Sequence, residues 1–259
     1  MPDRIRLDGK VAVVTGAAGV IGSATIRLLA ERGARIVAVD RNRADLQSAI
    51  NDLPASAQAL AVTADVTNED EVTEYVRTTV DRFGTVDVFY NNAGVEGDVK
   101  PITEYPLAMF RKVIDVNVVG VFLGMKHVLP VMLKQDRGSI INTASIAGLM
   151  GSPQIAVYSA SKHAVIGLTK SAAWECTGTG VRINCVCPGL IDSRMLSSIL
   201  LGRSSGNVPP PNDKIVERIP ARRLGQASEV ASIVAFLGSD EASYVSGSAY
   251  TVDGGRTAG

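Results

Sequence analysis

From Lys10 onward the chain alternates short runs of β-branched apolar residues with longer stretches in which apolar residues recur every three or four positions. The first pattern suits strands buried on both faces, and the second suits amphipathic helices. The runs predict strands over Val11–Thr15, Arg35–Val39, Ala59–Thr63, Val86–Tyr90, Ser139–Thr143, Val181–Val186 and Ala249–Val252. Helical spacing covers Ile21–Arg32, Asn68–Phe83, Leu107–Lys134, Val157–Glu175 and Ser228–Leu237, with Gly33, Gly84 and Gly138 as stops or turns. Strands joined by crossover helices must run parallel, so the pattern predicts one wide, doubly wound α/β sheet of seven strands with helices on both faces. Leu190 to Arg223 breaks the periodicity with Gly202, Ser204, Ser205, Gly206 and Pro209 to Pro211. An irregular insertion of that length, about 190–223, inside a folded domain reads as a lid over a ligand in preference to a plain surface loop.

Composition narrows the class. With 46% hydrophobic and only 5% aromatic residues among 259, the chain can bury a core of Val, Ile, Leu and Ala, and the length is compatible with one domain over 1–259. Lysine plus arginine and aspartate plus glutamate each number 26. No net field gathers nucleic acid or an anionic membrane, and the expected partner is a neutral small molecule. Cys176, Cys185 and Cys187 form neither a disulfide framework nor a C-x-x-C pair, so no metal site is expected and a reducing, cytoplasmic home is. Met1 to Lys10 is short and charged, and the apolar stretches are interrupted by glycine, Arg27, Asn117 or Lys126, which argues against a signal peptide or a membrane span.

The candidate chemistry begins directly after the first strand, at Thr15-Gly16-Ala17-Ala18-Gly19-Val20-Ile21-Gly22. Glycines followed by a helix start present backbone amides where a pyrophosphate can sit. Taken alone, such a cluster fits a packing turn equally well. The second strand then leads into Asp40, about 18 residues beyond Gly22, where a carboxylate can accept hydrogen bonds from ribose hydroxyls.

Thr15 to Gly22 is similar to the T-G-x-x-x-G-x-G fingerprint of the short-chain dehydrogenase/reductase family, and further family motifs follow in order: Asn91-Asn92-Ala93-Gly94, Asn117, Ser145, Tyr158-x-x-x-Lys162 and Pro188-Gly189. The match runs essentially from Gly9 to Gly255. The resemblance implies a Rossmann-type fold, a nicotinamide cofactor and a homo-oligomer, commonly a tetramer; Asp40, which would set its carboxylate against a 2′-phosphate, favours NAD over NADP despite Arg41 and Arg43 nearby. It implies cofactor contacts from Gly16, Gly19, Val20, Ile21, Gly22, Asp40, Asp65, Val66, Asn92, Ala93, Gly94, Tyr158, Lys162, Pro188, Gly189, Ile191 and Ser193. Asp65 and Val66 border the adenine in that scheme, and Ile191 and Ser193 hold the nicotinamide carboxamide. One position departs from the fingerprint: Val20 stands where the family has glycine. A β-branched residue resists positive φ, so the loop is expected to be reshaped around Gly19.

Tyr158 and Lys162 are four residues apart in a helical pattern and share one face. Free tyrosine titrates near pH ~10, and a neighbouring ammonium favours its phenolate; the expected midpoint is therefore below that of free tyrosine. The resemblance makes Tyr158 the general acid/base, Ser145 the holder of the substrate oxygen, and Asn117 the support of a water chain to Lys162. The reaction implied is the interconversion of a secondary alcohol and a ketone, and the four-residue spacing sets the chain apart from enoyl reductases, which space the pair more widely. Val95, Glu96, Leu149, Gln154, Leu190 and Met195 are expected to line a mostly apolar substrate pocket, suited to a small hydrophobic or cyclic alcohol or ketone, with Glu96 either a rim charge or a substrate contact. The rival reading is a nucleotide-sensing binding protein on the same fold, which has no need to keep both Tyr158 and Lys162.

Overall fold

The computed structural model describes residues 5–204 and 212–259. The seven runs become β1 Val11–Thr15, β2 Arg35–Asp40, β3 Ala59–Thr63, β4 Val88–Asn91, β5 Gly138–Thr143, β6 Val181–Pro188 and β7 Ala249–Val252. They form one sheet in the order β3-β2-β1-β4-β5-β6-β7, every pairing parallel. The direction of winding reverses between β1 and β4. At that point neighbouring loops diverge and leave a crevice at the carboxyl edge of the strands.

The two-residue period of each strand divides the core. Val11, Val13, Val37, Val39, Phe89 and Ile140 face one side. There they pack against Val72, Tyr75 and Val76 of helix α3 (Glu69–Phe83), Val121, Leu123 and Val128 of α5 (Gly120–Lys134), and Val165 and Ile166 of α6 (Ala156–Glu175). Ala12, Val14, Ile36, Tyr90 and Ile141 face the other side, covered by Ile26 and Leu29 of α1 (Val20–Glu31) and Val230 and Val234 of α9 (Ala227–Gly238). Each fully buried aliphatic side chain contributes about 1.5–3 kcal/mol, so the alternation along the strands holds both helical layers in place.

Three helices escape the sequence pattern. Helix α2 (Arg43–Asn51) buries only Leu46 and Ala49, so its periodic signal is two residues long; Asn42 caps it by accepting from the N–H groups of Ala44 and Asp45 at 3.1 and 3.3 Å. The stretch from Leu190 to Arg223 is not irregular throughout, for it contains α7 (Arg194–Gly202) and the short α8 (Asn212–Val216). Ser193 caps α7 by accepting from the Leu196 N–H at 3.3 Å. The rest of the Gly/Ser/Pro run, 205–211, lies outside the described residues. The single helix expected over Leu107–Lys134 is instead α4 (Leu107–Ile114), a π-turn (Asp115–Val119) and α5. Hydrophobic periodicity does not reveal a one-residue insertion of this kind, which commonly marks a functional position. By length and composition this stretch could cross a membrane, but α5 packs the apolar Val121, Leu123, Met125, Val128 and Met132 into the sheet core.

Candidate active site

The turn from β1 to α1 is forced by close backbone approach. Gly16 adopts φ +63°, and a Cβ on it would lie 2.9 Å from the Ala93 Cα; a Cβ on Gly22 would lie 2.1 Å from the Gly16 carbonyl oxygen. Gly19 caps α1 without a side chain to satisfy the first-turn N–H groups. An uncapped helix N-terminus at the carboxyl edge fits the pyrophosphate of a dinucleotide. Val20 does not reshape the loop around Gly19, contrary to the sequence expectation. The left-handed conformation falls on Gly16, Gly19 is extended (φ −72°, ψ 163°), and Val20 simply opens the helix with its side chain 45% exposed.

Asp40 closes β2 beside this loop. Its carboxylate accepts from the Ala18 N–H at 3.1 Å and the Asn42 N–H at 3.2 Å, while Arg41 and Arg43 are exposed. Asp65 accepts from the Thr67 N–H and hydroxyl at 2.9 and 2.7 Å, which fixes the turn that carries buried Val66. After β4, the Thr15 hydroxyl accepts from the N–H groups of Asn92 and Ala93 at 2.9 and 3.1 Å. The Asn92 amide donates to the Thr15 and Gly16 carbonyls at 3.0 and 3.2 Å and accepts from the Thr143 hydroxyl at 3.2 Å. Asn92 thus ties β1, β4 and β5 together at the crevice. Pro188 ends β6, Gly189 donates to Val252 at 3.0 Å, and Ile191 bridges to Gly225. The Ser193 hydroxyl donates to the Ile191 carbonyl at 3.1 Å in addition to capping α7.

The proton-handling residues meet at the same edge. Tyr158 and Lys162 lie in the first and second turns of α6, and the Lys162 Nζ is 5.6 Å from the Tyr158 ring centre. That Nζ donates to the Thr143 carbonyl at 2.8 Å. Burial drives both groups toward neutrality, lifting the Tyr158 phenol to about 12 and dropping the Lys162 ammonium to about 8. A hydrogen bond with Ser145 pulls the phenol back down, and the nearby Glu96 charge pushes it further up. Within the polypeptide, then, desolvation outweighs the expected help from the lysine, and Tyr158 sits above free tyrosine. Ser145 caps the short turn Ile146–Gly148, its hydroxyl accepting from the Ala147 N–H at 3.1 Å and reaching the Pro188 carbonyl at 3.5 Å.

Asn117 sits buried in the π-turn. It accepts from the Val95 N–H at 2.8 Å and donates to the Val95 carbonyl at 2.9 Å and the Ser161 hydroxyl at 3.0 Å. It has no direct bond to Lys162 among the described residues; its observed work is to clamp the loop after Gly94 onto α6. Thr15, Thr143 and Ser161 carry these contacts; from the sequence, Thr15 reads only as the opening of the glycine fingerprint, and Thr143 and Ser161 are not singled out. Their signal was a hydroxyl inside or beside an otherwise apolar buried run. Around Tyr158, Ala147 and Ile155 form a buried apolar wall with Val99, Met195 and Ile199 packed on it. Of these the sequence indicated only Met195. Leu149 and Gln154, also expected as walls, are exposed, and Gln154 holds the left-handed φ of +65°.

A family model described as "Enoyl-(Acyl carrier protein) reductase" matches residues 16–257. Levodione reductase of Leifsonia aquatica is 38% identical over 256 residues, covering 98% of this chain and 96% of that protein. Its crystal structure superposes with a TM-score of 0.93 over 98% of this chain and 99% of that one. Cyclohexanol dehydrogenase of Acinetobacter sp. strain SE19 is 40% identical over 253 residues, 97% of this chain and 96% of that protein. An NAD+-bound xylitol dehydrogenase superposes with a TM-score of 0.90 at 35% identity, over 96% of this chain and 99% of the other. The fold and these similarities define an oxidoreductase class that binds a nicotinamide cofactor. The chain belongs to the short-chain dehydrogenase/reductase family.

Proposed function

We propose that this protein is an NAD-dependent oxidoreductase that interconverts a secondary alcohol and a ketone, with Tyr158 as general acid/base. The observation that carries the reading is the meeting of Tyr158, Ser145 and Lys162 in one buried cluster at the carboxyl edge, beside the uncapped start of α1. The chemistry a nicotinamide would supply there is the giving or taking of a hydride and, in its oxidised form, an added positive charge. Ser145 holds the substrate oxygen with its hydroxyl. Tyr158 takes the hydroxyl proton on its Oη during oxidation and returns it during reduction. Lys162, fixed by the Thr143 carbonyl, offsets the phenolate charge, and Asn117 keeps the neighbouring loop in register with α6 and supports a water path to the lysine.

Gly16, Gly19, Val20, Ile21 and Gly22 are assigned to the pyrophosphate, Asp40 to the adenosine ribose, and Asp65 and Val66 to the adenine. Asn92, Ala93, Gly94, Tyr158, Lys162, Pro188, Gly189, Ile191 and Ser193 are assigned to the nicotinamide half. Solved relatives carry either cofactor; the choice of NAD rests on Asp40, whose carboxylate faces the glycine loop. Residues 1–259 are assigned to one dinucleotide-binding and catalytic domain in a cytoplasmic homotetramer, with about 190–223 closing over the substrate. The apolar wall around Tyr158 favours a small cyclic or hydrophobic substrate, in keeping with the names of the relatives.

The test is turnover of secondary alcohols and ketones with NAD and NADP, followed by absorbance of the reduced nicotinamide. Tyr158→Phe removes one hydroxyl and keeps the ring, so kcat is expected to fall about 10²-fold or more while cofactor affinity holds. A variant that keeps most of its rate refutes the assignment.

A further inference from the structure

The loop after Gly94 carries a charged group to which this chemistry gives no task. Glu96 lies in the loop between β4 and α4, and the backbone is tied down on both sides of it. Val95 is held through both its N–H and its carbonyl by Asn117, at 2.8 and 2.9 Å. The Asp98 N–H donates to the Tyr105 hydroxyl at 3.0 Å. Between these ties Gly97 adopts φ +74° in a space so close that a Cβ would lie 2.3 Å from the Tyr105 Oη and 2.6 Å from the Val113 Cγ2. Two residues before Glu96, a Cβ on Gly94 would lie 3.5 Å from the Lys162 Nζ. Glu96 is therefore carried on a rigid segment whose near end abuts the proton-handling pair.

Glu96 is half-buried, and among the described residues its carboxylate makes no hydrogen bond or ion pair. Lys100, the one cation of residues 94–101, turns instead to Asp98 at 3.7 Å. The Glu96 charge reaches Tyr158, whose phenol it raises. Ala147, Ile155, Val99, Met195 and Ile199 supply the apolar side of the wall around Tyr158. With no partner of its own among the described residues, the carboxylate keeps its acceptor lone pairs free for a donor that fills the pocket.

We propose that Glu96 determines substrate specificity: it accepts a hydrogen bond from a second donor on the substrate, a hydroxyl or an ammonium besides the reacting oxygen, and it turns away substrates that bear a carboxylate. The inference rests on the alcohol/ketone reading above and refines it to hydroxylated or aminated secondary alcohols. The second group takes no part in the redox step: the carbinol carbon would give its hydride to the oxidised nicotinamide, its hydroxyl proton goes to Tyr158, and the donor stays bonded to Glu96 throughout.

The test compares kcat/KM for cyclohexanol, the 1,2-, 1,3- and 1,4-cyclohexanediols, 2-aminocyclohexanol and 3-hydroxycyclohexanecarboxylate in the wild type, Glu96→Gln and Glu96→Ala. In the wild type at least one diol or the aminoalcohol is expected to exceed cyclohexanol by about tenfold to a hundredfold, the range for a hydrogen bond to a charged acceptor. That ratio should fall at least tenfold in Glu96→Ala. Glu96→Gln, still an acceptor but uncharged, should keep part of the preference for a hydroxyl and lose the preference for an ammonium. The hydroxycarboxylate should gain about tenfold in both variants. Because Glu96 gives up no partner, both variants should melt within about two degrees of the wild type. If cyclohexanol is turned over but the ratios stay the same within twofold in Glu96→Ala, the role of Glu96 is overturned and the alcohol/ketone reading stands. If the wild type turns over none of these alcohols or the corresponding ketones, both fall.

Discussion

Tyr158 and Lys162 show how strongly burial acts on single residues here. The lysine's folded-state value of about 8 lies below its ordinary 10.5, so between those limits the unfolded chain binds the extra proton and stability rises with pH. The tyrosine, lifted to about 12 from its ordinary 10.0, acts in the opposite sense: the folded chain holds the proton longer, and stability falls as pH rises beyond about 10. Lys162→Met should therefore abolish turnover yet raise the unfolding midpoint at pH 7. Relief of the buried charge, less the bond to Thr143, amounts to about 1–2 kcal/mol, or several degrees for a chain of this size. The variant should also lose the stability rise between pH 8 and 10. Thermal unfolding of both proteins across pH 6 to 10 checks this, and a destabilised variant at pH 7 refutes it. Asp40 supports a second prediction. A 2′-phosphate would meet its carboxylate, and neither exposed Arg41 nor Arg43 turns in to offset it. NAD should exceed NADP in kcat/KM by at least tenfold, about 1.4 kcal/mol, and Asp40→Ala should narrow that gap from both ends; an unchanged ratio removes Asp40 as the discriminator.

Among the elements, those that bury many side chains were legible in the sequence and those that bury few were not. The seven strands appear because each places apolar residues on both sheet faces; the differences are at the ends, as where β4 starts at Val88 instead of Val86 and β6 runs on to Pro188. Helix α2 was invisible with two buried residues, and the π-turn at Asn117 was invisible because a single insertion leaves the apolar pattern nearly intact. The same distinction holds at the site. The resemblance singled out Tyr158 and Lys162, and a four-residue step on a helix fixes their relation locally. Val99, Ile155 and Ile199 were not found, because long-range packing brings them together. Helix α7 belongs to this second group, and it is fastened by little. Gly202 packs on Val99, where a Cβ would lie 2.7 Å from the Val99 Cβ, and Arg203 donates to the Ser152 hydroxyl and the Pro153 carbonyl at 2.9 and 3.0 Å. Cutting those two bonds frees the end of the helix without touching Tyr158. Arg203→Ala should raise KM about tenfold, the value of roughly 1–2 kcal/mol for partly exposed charge-assisted bonds, while kcat changes less than threefold. A fall in kcat with KM unchanged would show that the latch does not govern substrate closure.

For the molecule as a whole, one unexplained feature is a run of apolar side chains left outside. Along the edge away from the sheet, Leu107 is 61% exposed, Phe110 41%, Val119 36%, Phe122 47% and Leu133 42%. Val119, Phe122, Lys126 and Leu133 follow one another at three-, four- and seven-residue steps and so lie on one face. The opposite face of α5, from Val121 to Met132, is already spent on the core, so among the described residues the apolar side chains of this strip lie outside it, while Lys126 on the same face pairs with Glu69. Leaving several large apolar side chains in water forfeits about 25 cal/mol for each Å² that could be covered, and contiguous exposure of this kind marks an association surface in a folded protein. A second copy of the same chain is the occupant expected from the proposed homo-oligomer, because two such helices can lie face to face with each strip covering the other. Phe122 stands near the middle of the strip and touches nothing catalytic, whereas Asn117, less than two turns away, clamps Val95 beside Tyr158. Association should therefore stiffen the catalytic loop as well as cover the strip. Phe122→Glu places a charge where two copies meet and should cut the mass in solution at least by half, with the unfolding midpoint falling as the linked association is lost. Light scattering of the wild type and the variant at equal concentration reads the first effect directly. A wild type that is already monomeric at tens of micromolar, or a variant of unchanged mass, would show that this strip is not where the copies meet.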